Sequence, residues 1–164
     1  MKSQILLSDL VCKIDQEFDE KVTENKYVDY LKVCEARRKS DNLSVLIKYY
    51  DESDQKGFMR EIELLDSIHH PGCQKLIAFS LRPSLALVTE LPVNGDLMTN
   101  LQKTYENPSF LTVFTPTKMM CCLYRICSIM DFLHSHDIMH RNLKPQVFYL
   151  EDNYEVTLNS FFLS

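Results

Sequence analysis

The sequence His-Arg-Asn-Leu-Lys-Pro at residues 140–145 separates two segments whose patterns predict different structures. Before it, residues 117–136 repeat apolar side chains at helical spacing, which predicts a long helix. After it, residues 147–150 and 156–158 predict two short strands on either side of a turn at Asp152-Asn153. The polar stretch is therefore predicted to be a loop that joins a helix to a hairpin.

Upstream of this helix, the pattern indicates several strands and one longer helix. Residues 43–49, 75–81 and 85–90 predict strands, and residues 51–54 supply N-cap candidates for a helix. Apolar residues recur in that helix at spacings of four and three, namely at Phe58, Ile62, Leu65 and Ile68. A further short helix, capped by Asp96, is predicted to run to about Tyr105. The chain is predicted to be α+β, with a sheet lobe followed by a helical lobe.

Composition and charge exclude several classes of protein. Only 3 of the 164 residues are glycine, which excludes a glycine-rich phosphate-binding loop. The net charge of −5 and the absence of a basic stripe argue against nucleic acid as a partner. The longest apolar run, residues 119–124, is too short to span a membrane. The 6 cysteines include no C-x-x-C pair, which favours a soluble protein of the reducing cytoplasm.

Four motifs, in one order and spacing, resemble the signature set of protein kinases. They are Val45-Leu46-Ile47-Lys48 on a strand, Glu61 on the next helix, the loop 140–145, and Ser160-Phe161-Phe162 after the hairpin. The resemblance covers residues 27–164 and implies a bilobal kinase-like fold of the Ser/Thr or tyrosine-kinase-like type, with a role in signalling. It divides the chain into an N-terminal extension (1–26), an N-lobe (27–92) and a partial C-lobe (93–164) that stops at the D-F-G position.

Several positions retain residues that the resemblance associates with nucleotide binding and with the internal packing of the fold. Lys48 and Glu61 could form the family's ion pair, and Lys144 is kept in the loop. The hinge falls on Thr89, Glu90 and Leu91. The four positions of the hydrophobic spine are Leu65, Leu76, His140 and Phe161.

Other positions depart from the family, and phosphoryl transfer depends on them. Where the family has the aspartate of the catalytic loop, this chain has Asn142. Where the family has its metal-binding asparagine and metal-binding aspartate, this chain has Val147 and Ser160, respectively. The glycine-rich loop, aligned to residues 26–33, contains no glycine. Leu46 and Tyr149 replace smaller residues above and below the adenine ring, which narrows the pocket. We therefore expect no bound ATP or magnesium.

Simpler interpretations of the same residues remain open. Lys48 can be read as a solvated strand lysine, and Glu61 as an exposed helix glutamate. His134, His136 and His140 form an H-x-H-x3-H pattern that can be read as a zinc site. Asn142 could still orient an acceptor hydroxyl by hydrogen bonding.

The leading hypothesis is a catalytically inactive kinase-like binding or scaffold module. An active kinase that binds ATP and magnesium, with metal ligands such as Asn159 or Asp152, is the first alternative, and a non-functional gene fragment is the second. Because the second lobe is incomplete, we expect a protein partner on an uncovered face of the helix 117–136. The apolar stripe of that helix is predicted to be Met119, Leu123, Ile126, Met130 and Leu133, widened by Cys127.

Overall fold

The computed structural model describes residues 10–21, 32–151 and 155–161, which form two compact units. The first unit comprises Met1–Ser67 and Lys75–Leu91, and the second comprises Ile68–Gln74 and Pro92–Ser164. The first unit contains a sheet and the second is mostly helical, so the predicted α+β class is confirmed. None of the helices within the described ranges is long and apolar enough to cross a membrane.

The first unit is built on a five-stranded antiparallel sheet with the strand order β1-β2-β3-β5-β4. A short helix α1 (Ile14–Glu17) precedes the sheet, and helix α2 (Gln55–Ser67) follows the third strand. The strands are β1 (Phe18–Lys21), β2 (Lys32–Arg38), β3 (Ser44–Tyr49), β4 (Leu76–Ser80) and β5 (Ala86–Glu90). The strands predicted over 43–49, 75–81 and 85–90 are thus confirmed to within one residue at each end.

One face of this sheet is covered by residues that were predicted to form an N-terminal extension. Cys12, Ile14 and Phe18 are buried in one cluster with β-strand residues that include Val45 and Ile47. The backbone N–H of Cys12 donates to the carbonyl oxygen of Phe79 at 2.8 Å. Residues 11–18 therefore contribute to the core of the first unit, through both side-chain burial and strand pairing.

Helix α2 buries the apolar face that its spacing predicted. Phe58, Ile62 and Leu65 are buried, and the edge of the Tyr50 ring packs on Phe58 with centroids 4.9 Å apart. Ile68 lies beyond the end of the helix and is half-buried. Asp51 accepts a hydrogen bond from the N–H of Ser53 and so caps a 3₁₀ turn, Glu52–Asp54, that leads into α2.

The second unit contains helices α3 (Leu97–Glu106) and α4 (Pro116–Ser135) and a hairpin of β6 (Phe148–Leu150) and β7 (Val156–Leu158). The predicted caps and hairpin strands are confirmed, because Asp96 accepts from the N–H of Thr99 at 2.8 Å and the two strands pair antiparallel. Two 3₁₀ turns, Pro108–Thr112 and Pro145–Val147, precede α4 and β6.

The segment Ile68–Gln74, which follows α2, packs within the second unit. The carbonyl oxygen of Gly72 accepts from Leu158 at 2.8 Å, and the N–H of Gln74 donates to Leu158 at 3.0 Å. His70 stacks on Phe132 of α4 with ring centroids 4.6 Å apart. A Cβ at Gly72 would lie 2.4 Å from Cγ1 of Ile129, so only glycine allows this close approach to α4.

The apolar stripe of α4 that was predicted to lie uncovered is uncovered only in part, because its residue Leu133 is buried. The buried side chains of this helix are Cys122, Ile129 and Leu133, whereas Leu123 is 54% exposed and Cys127 is also exposed. Residues 119–124 are apolar without interruption, so periodicity alone could not choose which of them faces the core. The outward apolar surface of α4, which we call the α4 outer face, consists of Met120, Leu123, Tyr124 and Cys127.

Candidate functional site

The first unit brings Lys48 and Glu61 together in its interior. Lys48 lies in β3 and its Nζ is 4.0 Å from Oε1 of Glu61 in α2. The side chains are 2% and 0% exposed, respectively. The alternatives of a solvated lysine and an exposed glutamate are therefore wrong, and the two residues form a buried ion pair between strand and helix.

Burial of Lys48 changes its proton affinity. Removal of its ammonium group from water lowers the pKa of Lys48 to about 8, although the nearby Glu61 carboxylate acts in the opposite direction. The pKa of Lys48 therefore lies close to neutral pH. Because the carboxylate is close but not within hydrogen-bonding distance, its attraction does not offset the full cost of desolvation.

Tyr50 is a third member of this buried group, and none of the motifs in the sequence predicted it. Its hydroxyl donates a hydrogen bond to Oε2 of Glu61, and its side chain is buried. Tyr50 follows Lys48 by two positions, and side chains at that spacing in an extended chain point to the same face. That spacing is the signal in the sequence that could have identified it.

The loop 140–145 is fixed in the second unit by His140. The ring of His140 is buried and its Nδ1 accepts from the N–H of Asn142 at 3.3 Å. Its Nε2 then carries the proton and donates to the carbonyl oxygen of Ser160. The next residue, Arg141, has a φ of 62°, a left-handed conformation that is uncommon outside glycine. His140 thus ties the loop to the segment after β7.

The three positions predicted to be degraded lie in this part of the second unit. Asn142 is half-buried in the loop, Val147 is 3% exposed at the end of a 3₁₀ turn, and Ser160 is 6% exposed after β7. The N–H of Asn159 donates to the carbonyl oxygen of Val147 at 2.9 Å. These positions offer an amide, two methyl groups and a hydroxyl, and none of them carries a carboxylate.

The remaining predicted residues divide between the two units. In the first unit, Thr89 and Leu65 are buried, Leu76 is half-buried and Glu90 ends β5 in an exposed position. Leu91 follows it and donates to the carbonyl oxygen of Ser44 at 3.2 Å. In the second unit, Phe161 is buried against His140, with ring centroids 5.6 Å apart.

Leu46 and Tyr149, the residues predicted to narrow an adenine pocket, belong to different units. Leu46 lies in β3 and is 3% exposed, and Tyr149 lies in β6 and is 4% exposed. Lys144 is half-buried and stands directly before the 3₁₀ turn Pro145–Val147. The part of the predicted glycine-loop region at residues 26–31 lies outside the described residues, as do Asp152 and Phe162, whereas Lys32 and Val33 begin β2.

The three histidines of the H-x-H-x3-H pattern do not share a metal site. His134 and His136 are exposed, whereas His140 is buried with both ring nitrogens engaged. In residues 10–21, 32–151 and 155–161, no three His, Cys, Asp or Glu side chains are grouped so that they could hold a metal ion. All six cysteines are free thiols.

Comparison with known proteins gives a single family. Residues 17–164 match the family model described as protein tyrosine and serine/threonine kinase. The chain is 32% identical over 129 residues, 76% of its length, to the leaf rust 10 disease-resistance locus receptor-like protein kinase-like 1.2 of Arabidopsis thaliana, covering 19% of that protein.

Two further relatives agree with this result. An Aurora kinase of Saccharomyces cerevisiae is 29% identical over 82% of the chain, which covers 32% of that relative. The serine/threonine-protein kinase SIK1 of Mus musculus is 26% identical over 77% of the chain, which covers 16% of that relative. The chain therefore spans less than a third of the length of each of these three relatives.

Proposed function

Because the chain belongs to the protein tyrosine and serine/threonine kinase family, we propose that it is a kinase-like binding or scaffold module of the cytoplasm that does not transfer phosphate. The observation that carries the proposal is the set of side chains at Asn142, Val147 and Ser160. A kinase needs a group that accepts or orients the substrate hydroxyl proton and oxygen ligands for its metal ions at these positions.

The side chain of Asn142 supports the proposal because an amide has no basic site for a proton. General-base assistance contributes about 10²- to 10⁴-fold to such reactions. Val147 presents only methyl groups and is buried, and Ser160 presents a neutral hydroxyl. Magnesium prefers oxygen ligands that usually include carboxylates, so these residues do not fit the ion. We propose accordingly that neither ATP nor magnesium is a cofactor of this chain.

A second candidate function, an active kinase, is favoured by one observation. Lys48 and Glu61 lie 4.0 Å apart and are fully buried, so the ion pair that the resemblance associates with nucleotide binding is kept. In this candidate, the oxygens of the metal ligands come from other residues, for which Asn159 and Asp152 were predicted, and Asp152 lies outside the described residues. The buried pair is equally compatible with an inactive module, because it also joins α2 to the sheet.

A thermal-shift titration with ATP and magnesium separates the two functions. The proposal predicts an unchanged melting temperature at all concentrations, because nothing binds. A ligand at 100 times its Kd would stabilise the folded chain by about 2.7 kcal/mol, so saturable stabilisation would support the active candidate.

Phosphotransfer by the purified chain provides the second measurement. The Lys48→Met variant is the control, since a contaminating kinase would leave identical activity in both preparations. Metal-dependent transfer that is present in the wild-type chain and lost in Lys48→Met would overturn the proposal. Absence of transfer together with a flat thermal response would support it.

The protein partner expected from the sequence stays a prediction. Its candidate surface on the helix 117–136 is now the α4 outer face, because the residues of the original stripe that point inward are not available to a partner. Met120 and Tyr124 are the most exposed of its members, at 65% and 75%.

A further inference from the structure

Tyr50 connects the sheet of the first unit to Glu61 of α2. It directly follows β3, and its backbone N–H donates to the carbonyl oxygen of Leu85 at 2.9 Å. Its side chain is 3% exposed and its ring packs edge-on against Phe58, also in α2. The backbone of Tyr50 is therefore fixed to the strand beside it, while its side chain contacts the helix at two points.

Lys48 of β3 and Tyr50, which directly follows β3, approach Glu61 in different ways. The Tyr50 hydroxyl donates to Oε2, whereas Nζ of Lys48 lies 4.0 Å from Oε1, beyond the usual range of an N–H···O hydrogen bond. A buried carboxylate is costly unless hydrogen bonds replace its water. Between these two contacts, the hydrogen bond that replaces water on the carboxylate is the one from tyrosine.

We propose that Tyr50 is a positioning residue that holds Glu61, and with it α2, against the sheet. The donor and the acceptor both belong to the first unit, so the position of α2 is set by a contact within that unit. The inference concerns how Glu61 is held, and it applies equally to an inactive module and to an active kinase.

The contact also determines how Glu61 interacts with Lys48. A carboxylate that is anchored through Oε2 presents only its other oxygen to the ammonium group, at a distance longer than a hydrogen bond. Removal of the tyrosine hydroxyl removes the anchor at Oε2, so the carboxylate can move closer to Lys48. The shorter ion pair would then favour the charged lysine, so the pKa of Lys48 should rise.

The test compares Tyr50→Phe with a matched control, Tyr49→Phe. Both variants lose one hydroxyl that donates to a glutamate of the same unit, but the hydroxyl of Tyr49 donates to Glu20. Hydrogen exchange over residues 55–67 should be roughly tenfold faster in Tyr50→Phe, since hydrogen bonds to charged groups are among the stronger ones. The exchange in Tyr49→Phe should match the wild-type chain.

A second readout separates positioning from a general loss of stability. The midpoint of the Lys48 titration, followed by NMR on its side-chain carbon next to Nζ, should move upward in Tyr50→Phe and stay unchanged in Tyr49→Phe. A loss of global stability that leaves Lys48 buried in the folded chain would not raise this midpoint, and the Tyr49→Phe control reports any loosening that is not specific to the contact with Glu61. Wild-type values for both α2 exchange and the Lys48 midpoint in Tyr50→Phe would overturn the proposal.

The wild-type chain supplies a measurement for the case in which Tyr50→Phe does not fold. The hydroxyl exchange rate of Tyr50 can be read from the deuterium isotope shift on its ring carbon that carries the oxygen. A buried, hydrogen-bonded hydroxyl should exchange far more slowly than the fully solvated hydroxyl of free tyrosine. Exchange at the solvent-exposed rate would contradict the contact with Glu61.

Discussion

Lys48 is buried in the structure, although a lysine on a strand is usually expected to be exposed to solvent. A lysine on a strand is solvated in most proteins, and lysine is almost never fully buried unless it is paired. Here its aliphatic stem and its ammonium group both lie in the interior, opposite Glu61. The resemblance to kinases predicted a lysine paired with Glu61, which the structure has. The usual exposure of lysine favoured a solvated side chain, which the structure does not have.

Stability should depend on pH through Lys48. Its pKa is about 8 in the folded chain and near the ordinary value of 10.5 in the unfolded chain. Between these values the unfolded state binds more protons, so the free energy of unfolding increases as the pH rises. From pH 7.5 to 9.5 the contribution of Lys48 should grow by about 2 kcal/mol. Chemical denaturation at several pH values measures this change.

The control for this experiment is Lys48→Met, which removes the titrating group and keeps an apolar stem. Burial raises the pKa of Cys12 and of Cys73 to about 12, and these thiols reduce stability as the pH passes their unfolded value. Because both chains contain the thiols, only the difference between wild type and variant reports on Lys48. A difference that stays constant from pH 7.5 to 9.5 would contradict the prediction.

At the level of elements, the segment Ile68–Gln74 packs closely against α4. A methyl group at Gly72 would overlap Cγ1 and Cδ1 of Ile129, at 2.4 and 2.8 Å. Gly72→Ala should therefore destabilise the chain by about 1–3 kcal/mol, the usual cost of overpacking. Urea denaturation gives the value.

Two further variants test the physical cause of this loss. In an Ile129→Ala background the overlapping atoms are gone, so the added cost of Gly72→Ala should fall by about 1 kcal/mol or more. Gly57→Ala is the matched control in α2, where the nearest atoms belong to the flexible carboxylate of Asp54. That change should cost less than Gly72→Ala, because alanine favours helix and the Asp54 carboxylate can move, at the expense of the hydrogen bond it accepts from the N–H of Gly57. Equal losses at Gly57 and Gly72 would contradict the explanation.

The buried face of a helix was predictable where the apolar residues formed a single stripe. The face of α2 was identified because Arg60, Glu61 and Glu63 interrupt the apolar residues between Phe58 and Leu65. The face of α4 was not, because the apolar residues extend around most of its first half. Leu123 and Cys122 are neighbours in sequence, and only packing in the folded unit decides that Cys122 is buried and Leu123 is exposed.

For the molecule as a whole, the N-terminal residues are part of the folded core. Phe18 is 3% exposed in the cluster that covers one face of the sheet. Phe18→Ala should lower the free energy of unfolding by about 3–5 kcal/mol, since it removes a large buried side chain and leaves a cavity. Thermal or chemical denaturation of the full chain measures the loss.

Val11→Ala serves as the comparison for Phe18→Ala. Val11 lies in the same N-terminal segment but is 49% exposed, so its truncation should cost less than about 0.5 kcal/mol. A segment that was only an appendage would give similar small effects at both positions. That result would exclude residues 11–18 from the stable core.

Most of the fold followed from the sequence because strand patterns and kinase-like motifs agreed from residue 43 onward. The first two strands were missed, because Phe18–Lys21 contains three charged residues in four and Lys32–Arg38 contains four in seven, and neither has a regular apolar alternation. The pairing of β1 with β2 depends on backbone hydrogen bonds and on one buried ring, neither of which periodicity detects. The Lys48–Glu61 pair of the first unit and His140 of the second were predicted from motifs. The spacing of Tyr50 from Lys48 places both side chains on one face, but only the structure shows that the Tyr50 hydroxyl reaches Glu61.

Because Ile68–Gln74 belongs to the second unit, each unit is built from two separate segments of the chain. The chain passes from one unit to the other after Ser67, after Gln74 and after Leu91. No single cut can therefore release either unit with all of its own residues. A break at the third of these junctions would leave Gly72 and Gln74 on one fragment and their β7 partner Leu158 on the other. The two units should therefore be studied as co-expressed fragments. The segment Ile68–Gln74 of one fragment can then pair with β7 of the other.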